Sequence, residues 1–449
     1  MIPEPDDANR MVLGIVELNG CSYEEAEKRL GSLGVFIQGG DELRKSAALQ
    51  AAFLTAVNCA KRCFLGGVSV ALPSDIKLRV PWPASSLNDA AEDLLDGVAQ
   101  PQVISEKISI GFRNDESWIV FATGWKAVVA FGQDANIVPD LVGQDFALGG
   151  ILAGALAVHH SFVRATNIAP AIHWQVDGVS LWKPELSWEV APDGPQLSFL
   201  PDKVWLLGLG HLGQAFAWTL GMLPYESPGG CKVMLQDIDN VSLANYGTGI
   251  LTSKQDVSVQ KTRLVEAWLR QRSLQTYICD RLFDEKTRRS DEEPAVAFCG
   301  FHDAKSRRLI GNAGFELVVE AGLGSQIADF DQARLHTFPN SRFSPEDIWK
   351  EDVVIAPRSG LLEKLGGNTV CGALALAGKA VSTSFVGVTA SAFAWAEVLR
   401  QYHKGQSFNR QSVSLRSLNE VHFSQEIAES PSGVIAIRGY SPAASNCNF

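Results

Sequence analysis

The stretch Lys203-Val-Trp-Leu-Leu-Gly-Leu-Gly-His-Leu-Gly limits what this chain can become more than any other. A short apolar run ends in Gly208, Gly210 and Gly213, and a helical pattern starts at once. A second apolar run, Lys232-Val-Met-Leu-Gln, comes next and leads into Asp237. Strand, glycine turn, helix, strand and acid, in that order, are the layout of a nucleotide cradle. Backbone N–H groups at such a turn and helix start attract phosphate, and glycine lets the backbone come close without a Cβ clash. An acid after the second strand can accept bonds from ribose hydroxyls.

With 449 residues the chain is too long for one ordinary domain and suits two. From Val204 on, strand and helix patterns alternate. Strands are expected at 204–207, 232–236, 276–279, 295–299, 317–320 and 353–355, which make an α/β unit with a doubly wound, mostly parallel sheet. The first third also reads as α/β, with helical periodicity at 24–29, 43–59 and 148–163 and strands at 118–122 and 127–131. It has no phosphate loop, because Gly66-Gly67 has no third glycine in place. Residues 168–200, punctuated by Pro184, Pro192 and Pro195, read as a linker with room for short strands. An internal echo joins the two parts. Phe146-Ala-Leu-Gly-Gly leads into an Ala-rich helix towards Arg164, and Phe385-Val-Gly-Val-Thr leads into one ending at Arg400. The expectation is two degenerate copies, of which only the second keeps its glycine loop.

A net charge of −11 argues against a nucleic-acid partner, since such surfaces are usually basic. The eight cysteines form no Cys-x-x-Cys pair, which argues against structural zinc and suits buried thiols in a reducing cytosol. The opening Met1-Ile-Pro-Glu-Pro-Asp-Asp is unlike a signal peptide, and the apolar stretch 146–158 is too short to span a bilayer. A cytoplasmic protein without membrane contact is expected.

The glycine pattern alone would suit an NAD(P)-dependent oxidoreductase as well. The residues beyond it are more specific. Asp237-Ile-Asp239-Asn-Val-Ser-Leu-Ala-Asn245, then Asp256-Val-Ser-Val-Gln-Lys261, resembles the adenylation domain of ubiquitin-activating E1 enzymes and their ThiF/MoeB relatives. That resemblance implies two Rossmann-like adenylation-type domains forming a pseudo-dimer: an inactive one at 1–167, the linker, and an active one at 201–449. It implies that Gly208, Gly210, Gly213 and Asp237 bind ATP, with Asp237 on the ribose. Asn245 and Lys261 would contact the triphosphate, and Lys261 would neutralise charge as phosphate leaves. Two positions depart from the pattern. Relatives carry Asn-Leu-x-Arg-Gln, whereas this chain has Asn245-Tyr-Gly-Thr248-Gly, and Thr248 cannot supply that charge. Relatives carry Cys-Thr-Asp-Asn, whereas this chain has Cys299-Gly-Phe-His302-Asp303. Asp303 would then hold Mg2+ after a one-residue shift, because magnesium prefers oxygen to the imidazole of His302. The missing cation could come from the other half, with Arg44 suggested by position alone.

Cys371 follows the loop-like Gly366-Gly-Asn-Thr-Val and precedes small residues, as a nucleophile at a helix start would. In E1 enzymes such a cysteine captures an adenylated C-terminus as a thioester. Cys231, Cys279 and Cys299 lie on or beside strands and read as core thiols. The whole layout resembles bacterial E1 proteins encoded beside ubiquitin-like and E2-like proteins, the Bil type of antiphage system. The implied partners are therefore a ubiquitin-like protein and an E2-like protein. Three other readings stay open: a sulfur-carrier adenylyltransferase without a thioester, an NAD(P)-dependent oxidoreductase, and a non-catalytic scaffold.

Overall fold

Short runs of alternating apolar residues build two separate sheets. The computed structural model describes residues 10–168, 176–225, 229–324, 329–350, 383–418, 421–426 and 431–437. The first sheet comprises β1 (Gly34–Gly39), β2 (Val68–Ala71), β3 (Ile104–Ile110), β4 (Trp118–Ala122), β5 (Lys126–Phe131) and β6 (Val176–Ser180). Their order is β2-β1-β3-β4-β5-β6. The first four strands are parallel, and β5 and β6 each reverse direction.

A small ribbon pairs β7 (Phe199–Pro201) with a late strand at Val434–Ala436. The second sheet comprises β8 (Lys203–Leu207), β9 (Lys232–Gln236), β10 (Gln275–Cys279), β11 (Val296–Cys299), β12 (Leu317–Leu323), β13 (Gln332–Phe338), β14 (Ser407–Ser414) and β15 (His422–Glu426). Their order is β10-β9-β8-β11-β12-β13-β14-β15. Strands β10 to β12 are parallel and the last three alternate. Without β10 and β15, the second sheet repeats the order and directions of the first.

The helices are α1 (Arg10–Asn19), α2 (Tyr23–Gly31), α3 (Ala47–Cys63), α4 (Leu87–Leu95), α5 (Ala147–Thr166), α6 (His211–Leu220), α7 (Lys261–Arg270), α8 (Ala304–Arg308), α9 (Pro345–Ile348) and α10 (Ser384–Tyr402). The echo noted in the sequence falls on α5 and α10. These occupy matching places, α5 between β5 and β6 and α10 between β13 and β14. In the same way, α3 follows β1 as α6 follows β8.

The stretch 168–200, with room for short strands, holds β6, the edge of the first sheet. The glycines at the end of the first strand of that sheet are Gly39 and Gly40, while Gly66-Gly67 lead into β2. One expectation changes: Cys279 is half-buried on β10, because its strand is the sheet edge, whereas Cys231 and Cys299 are buried. The strand expected at 353–355 lies outside the described residues.

Four helices form one layer between the sheets. Helix α3 packs on α5, α5 on α10, and α10 on α6, while each also covers its own sheet. These helices are apolar on nearly every side, which suits burial between two surfaces. Small residues set how closely they cross. A methyl at Gly150 would run into the Ala48 carbonyl, and one at Gly154 into that of Ala52. Polar bonds fix the rest: Trp218 Nε1 donates to Thr55 Oγ1 at 3.1 Å across the halves, and Trp395 Nε1 donates to the Phe216 carbonyl at 3.1 Å. The buried Glu397 accepts from Ser407, Gln411 and the Phe408 amide and pairs with Arg400, whose guanidinium reaches the Leu181 carbonyl of the first half. Among the described residues, no helix is long and apolar enough to cross a membrane.

Gly150→Ala should destabilise the protein by about 3 kcal/mol or more, because the obstacle is backbone that cannot rotate away. Gly31→Ala, where the added carbon has no neighbour within 4 Å, should stay within about 1 kcal/mol of wild type. Thermal melts of the two variants check the pair, and equal melting temperatures would contradict the tight crossing.

Candidate nucleotide site

The strand β8 ends where the backbone must turn sharply to enter α6. Gly208 takes a φ of +77°, a left-handed value that favours glycine, with Phe301 and the Gly300 backbone directly beneath it. A side chain at Gly213 would strike the Gly208 carbonyl, so this glycine lets the helix pack onto the strand. Gly210 differs: nothing lies within 4 Å of where its Cβ would be. The protein's own packing does not require a glycine there, whereas a phosphate approaching the backbone would.

Asp237, at the end of β9, closes this loop. Its Oδ2 accepts from the Leu209 amide at 2.6 Å and its Oδ1 from the Asp239 amide at 2.8 Å. Each oxygen keeps further acceptor capacity. Lys261 opens α7, and its ammonium donates to Asp239 Oδ2 at 2.7 Å and stands 4.0 Å from Asp237 Oδ2. The Lys261 side chain is 12% exposed and that of Asp239 is 55% exposed. The lysine is therefore held over the cradle by a partner on the solvent side, which an incoming phosphate could replace.

The glycine loop, Asp237 and Lys261 thus come together as the sequence suggested. Asn245 does not join them in the described contacts. Its side-chain oxygen accepts from the Ser242 amide and hydroxyl at 2.9 and 3.3 Å, which caps its own short turn. Asp303 lies past the end of β11, two residues after Phe301, which packs against Gly208. Its Oδ1 accepts from the Ser306 amide at 2.7 Å and caps α8. Its other oxygen is one hard oxygen donor of the kind magnesium takes, but the described residues hold no cluster of three or more His, Cys, Asp or Glu side chains that could hold a metal ion. Cys371 lies outside the described residues. Arg44 is away from the cradle and bonds Asp41 and the Ser74 and Asp75 carbonyls. The sequence offers a charge at that position, but the turn after β1 points it at the surface.

The two halves treat the equivalent helix start in opposite ways. In the second half no side chain caps α6. In the first half α3 is capped by Ser46, which accepts from Leu49, and by Asp145, whose oxygens accept from the Ala47 and Ala48 amides at 2.8 and 3.0 Å. A helix start attracts an anion, and here the chain supplies its own. Leu43, fully buried beside Gly39 and Gly111, fills the adjoining space. Sequence reasoning missed Asp145, because it precedes α5 and reaches α3 only in three dimensions. It named Asp239 only within the Asp-x-Asp motif, without a role, and passed over Gln214, which sits next to Gly213. Gln214 Oε1 accepts from the Leu251 amide and the Thr252 hydroxyl at 3.0 and 3.1 Å, which ties α6 to the loop after Asn245.

His211 begins α6, and its ring packs against Gly387 of α10. Both ring nitrogens are buried, and burial pushes this imidazole down to about 4. A histidine that binds fewer protons folded than unfolded lowers stability as pH falls; its contribution is intact above about pH 6.5 and is lost towards pH 4. The unfolding free energy of wild type should therefore climb from about pH 4 to 6.5 more steeply than that of His211→Asn. Equal slopes in urea titrations would reject this.

The comparisons with known proteins agree along the chain. A model of the BilD N-terminal domain matches residues 34–181, and one of the BilD C-terminal domain matches residues 200–405. The bacterial E1-like protein BilD of Collimonas sp. (strain OK412) is 36% identical over 420 residues, which cover 90% of each chain. Crystal structures of E. coli MccB, one with MccA-N7isoASN and one with ATP, align with TM-scores of 0.36 and 0.35 at 12% identity. They cover 70% and 71% of this chain and 96% and 97% of theirs. That likeness is too distant to bear on the chemistry of this chain.

Proposed function

The chain belongs to the BilD family of bacterial E1-like proteins, and we propose that it activates the C-terminus of a ubiquitin-like protein with ATP. The observation that carries this reading is the uncapped start of α6 behind an open-sided Gly210, with Lys261 poised over it on Asp239. An arrangement of N–H groups and one mobile ammonium suits the triphosphate of a nucleotide. The halves are read as degenerate copies forming a pseudo-dimer, with residues 201–449 as the active adenylation domain and 1–167 as the inactive one.

In this mechanism the modifier's C-terminal carboxylate attacks the α-phosphorus, forming an acyl-adenylate and releasing pyrophosphate. No base is needed, since a C-terminal carboxylate is already ionised at neutral pH. The chain's task is therefore positioning and charge stabilisation. Asp237 would accept the ribose hydroxyls while holding the glycine loop closed. Lys261 would leave Asp239 for the phosphates and offset charge on the departing pyrophosphate. Asn245 would orient the triphosphate by its amide. Asp303 would hold Mg2+, which supplies further charge neutralisation on the phosphates. The Cys371 thiolate would then attack the acyl carbon, expel AMP and form a thioester, from which the acyl group passes to the cysteine of an E2-like protein. On the resemblance to Bil-type proteins, this chemistry would serve bacterial antiphage defence.

ATP–pyrophosphate exchange that depends on the modifier tests the first step. Lys261→Ala should lower it by roughly a hundredfold. Cys371→Ala should keep exchange and lose a thiol-reducible modifier adduct, seen by mass spectrometry. An acyl-adenylate with no thioester in wild type would point to a sulfur-carrier type of activation. Saturable binding of NAD and none of ATP would overturn the proposal.

A further inference from the structure

We propose that Arg62, from the half without a phosphate loop, is a positioning residue for the nucleotide site of the other half; this rests on the ATP reading above. Arg62 sits near the end of α3, fully buried. Its Nη1 donates to the Tyr246 carbonyl at 2.6 Å and the Thr252 carbonyl at 2.9 Å. Its Nη2 donates to the Ile250 carbonyl at 2.7 Å and to Asn58 Oδ1 at 3.4 Å. Asn58, one turn earlier on α3, adds a bond from Nδ2 to the same Ile250 carbonyl at 2.9 Å. Two side chains of the first half therefore grip three carbonyls of one loop in the second half.

The loop gripped is the one that begins at Asn245. The Asn245 carbonyl accepts from the Thr248 and Gly249 amides, so the Asn245 turn and the gripped segment are continuous. From the opposite side, Gln214 of the phosphate-facing helix holds Leu251 and Thr252. The segment 246–252 is thus clamped between α3 of one half and α6 of the other. Thr248, at the place where relatives carry an arginine, is buried within this segment.

Stability alone is a poor reason for such an arginine. Among the described residues no carboxylate lies within ion-pair distance of it, and burial pushes its guanidinium down to about 10. Burying a cation against carbonyls costs desolvation that an apolar side chain of similar volume would avoid. What it provides is geometric. A planar fork can hold three carbonyls at set angles, which neither lysine nor an apolar residue can do. The loop geometry that presents Asn245 to the triphosphate is then set by the half that binds no nucleotide itself.

Arg62→Lys and Asn58→Ala test this, in the full-length protein. Asn58→Ala removes two bonds, one to the Ile250 carbonyl and one from Arg62, and leaves the three Arg62–carbonyl bonds in place, so it carries the comparison if Arg62→Lys fails to fold. ATP affinity is read by calorimetry, the amides of 246–252 by hydrogen exchange, and global stability by thermal melt. The expected result is faster exchange over 246–252 and ATP binding weakened about tenfold in Arg62→Lys and about threefold in Asn58→Ala. In the exchange reaction, KM for ATP should rise while kcat changes little. Faster exchange of the loop with unchanged ATP affinity would overturn the positioning role and leave a purely structural contact. Failure of wild type itself to bind ATP would instead overturn the function on which the proposal rests.

Discussion

Backbone-to-backbone contact between helices is the constraint on which the rest of the structure depends. At Gly150 and Gly154 there is no room for even a methyl group against the backbone of α3, and at Gly387 the His211 side chain of α6 fills the space. Because helices can approach that closely, four of them fit into one layer, and each sheet covers its apolar face with helices that also touch the other half. The core is therefore continuous from α3 to α10, and residues from both halves share a single buried cluster. Neither sheet has a complete apolar cover without helices that belong to the shared layer.

Within that shared frame the two halves diverge at one electrostatic point. The start of a helix following the first strand of a parallel sheet is a fixed positive feature, and something must answer it. In the first half the answer is covalent and permanent: the carboxylate of Asp145, supported by Ser46. In the second half the start of α6 has no side-chain cap, and the nearby lysine is parked on Asp239. One half is closed by its own anion, and in the other no side chain caps the equivalent helix start. The first half still reaches the second, because Arg62 and Asn58 extend from α3 into the loop beyond Asn245.

Legibility in the sequence followed burial. Strands β8, β9, β11 and β12 are runs of apolar residues in the sheet centre, and their pattern was plain. Strand β13, Gln332-Ala-Arg-Leu-His-Thr-Phe, carries charge and imidazole on alternate positions, and its buried His336 is compensated by Glu320 at 2.8 Å. Strand β3, Ile104-Ser-Glu-Lys-Ile-Ser-Ile, buries Glu106 against Arg164. Strand β1 begins and ends in glycine. For His336 and Glu106 the partner that makes burial possible sits on another element, which periodicity does not reveal.

The sequence by itself determined the glycine cradle and its acid, since these lie within one strand–helix–strand passage whose geometry is local, and its motif carried the lysine that opens the next helix. It also carried the echo between the two long apolar helices, because a helix buried on all sides must be written in small and apolar residues wherever it occurs. Only the tertiary structure decided which glycines lie at the first half's own loop, that Asp145 closes the start of α3, and that Arg62 rather than Arg44 reaches the second half. Those outcomes depend on side chains separated by about a hundred to nearly two hundred positions meeting across packed helices. Charge and hydrogen-bonding capacity are visible in a sequence, but the partner that satisfies them is chosen by packing.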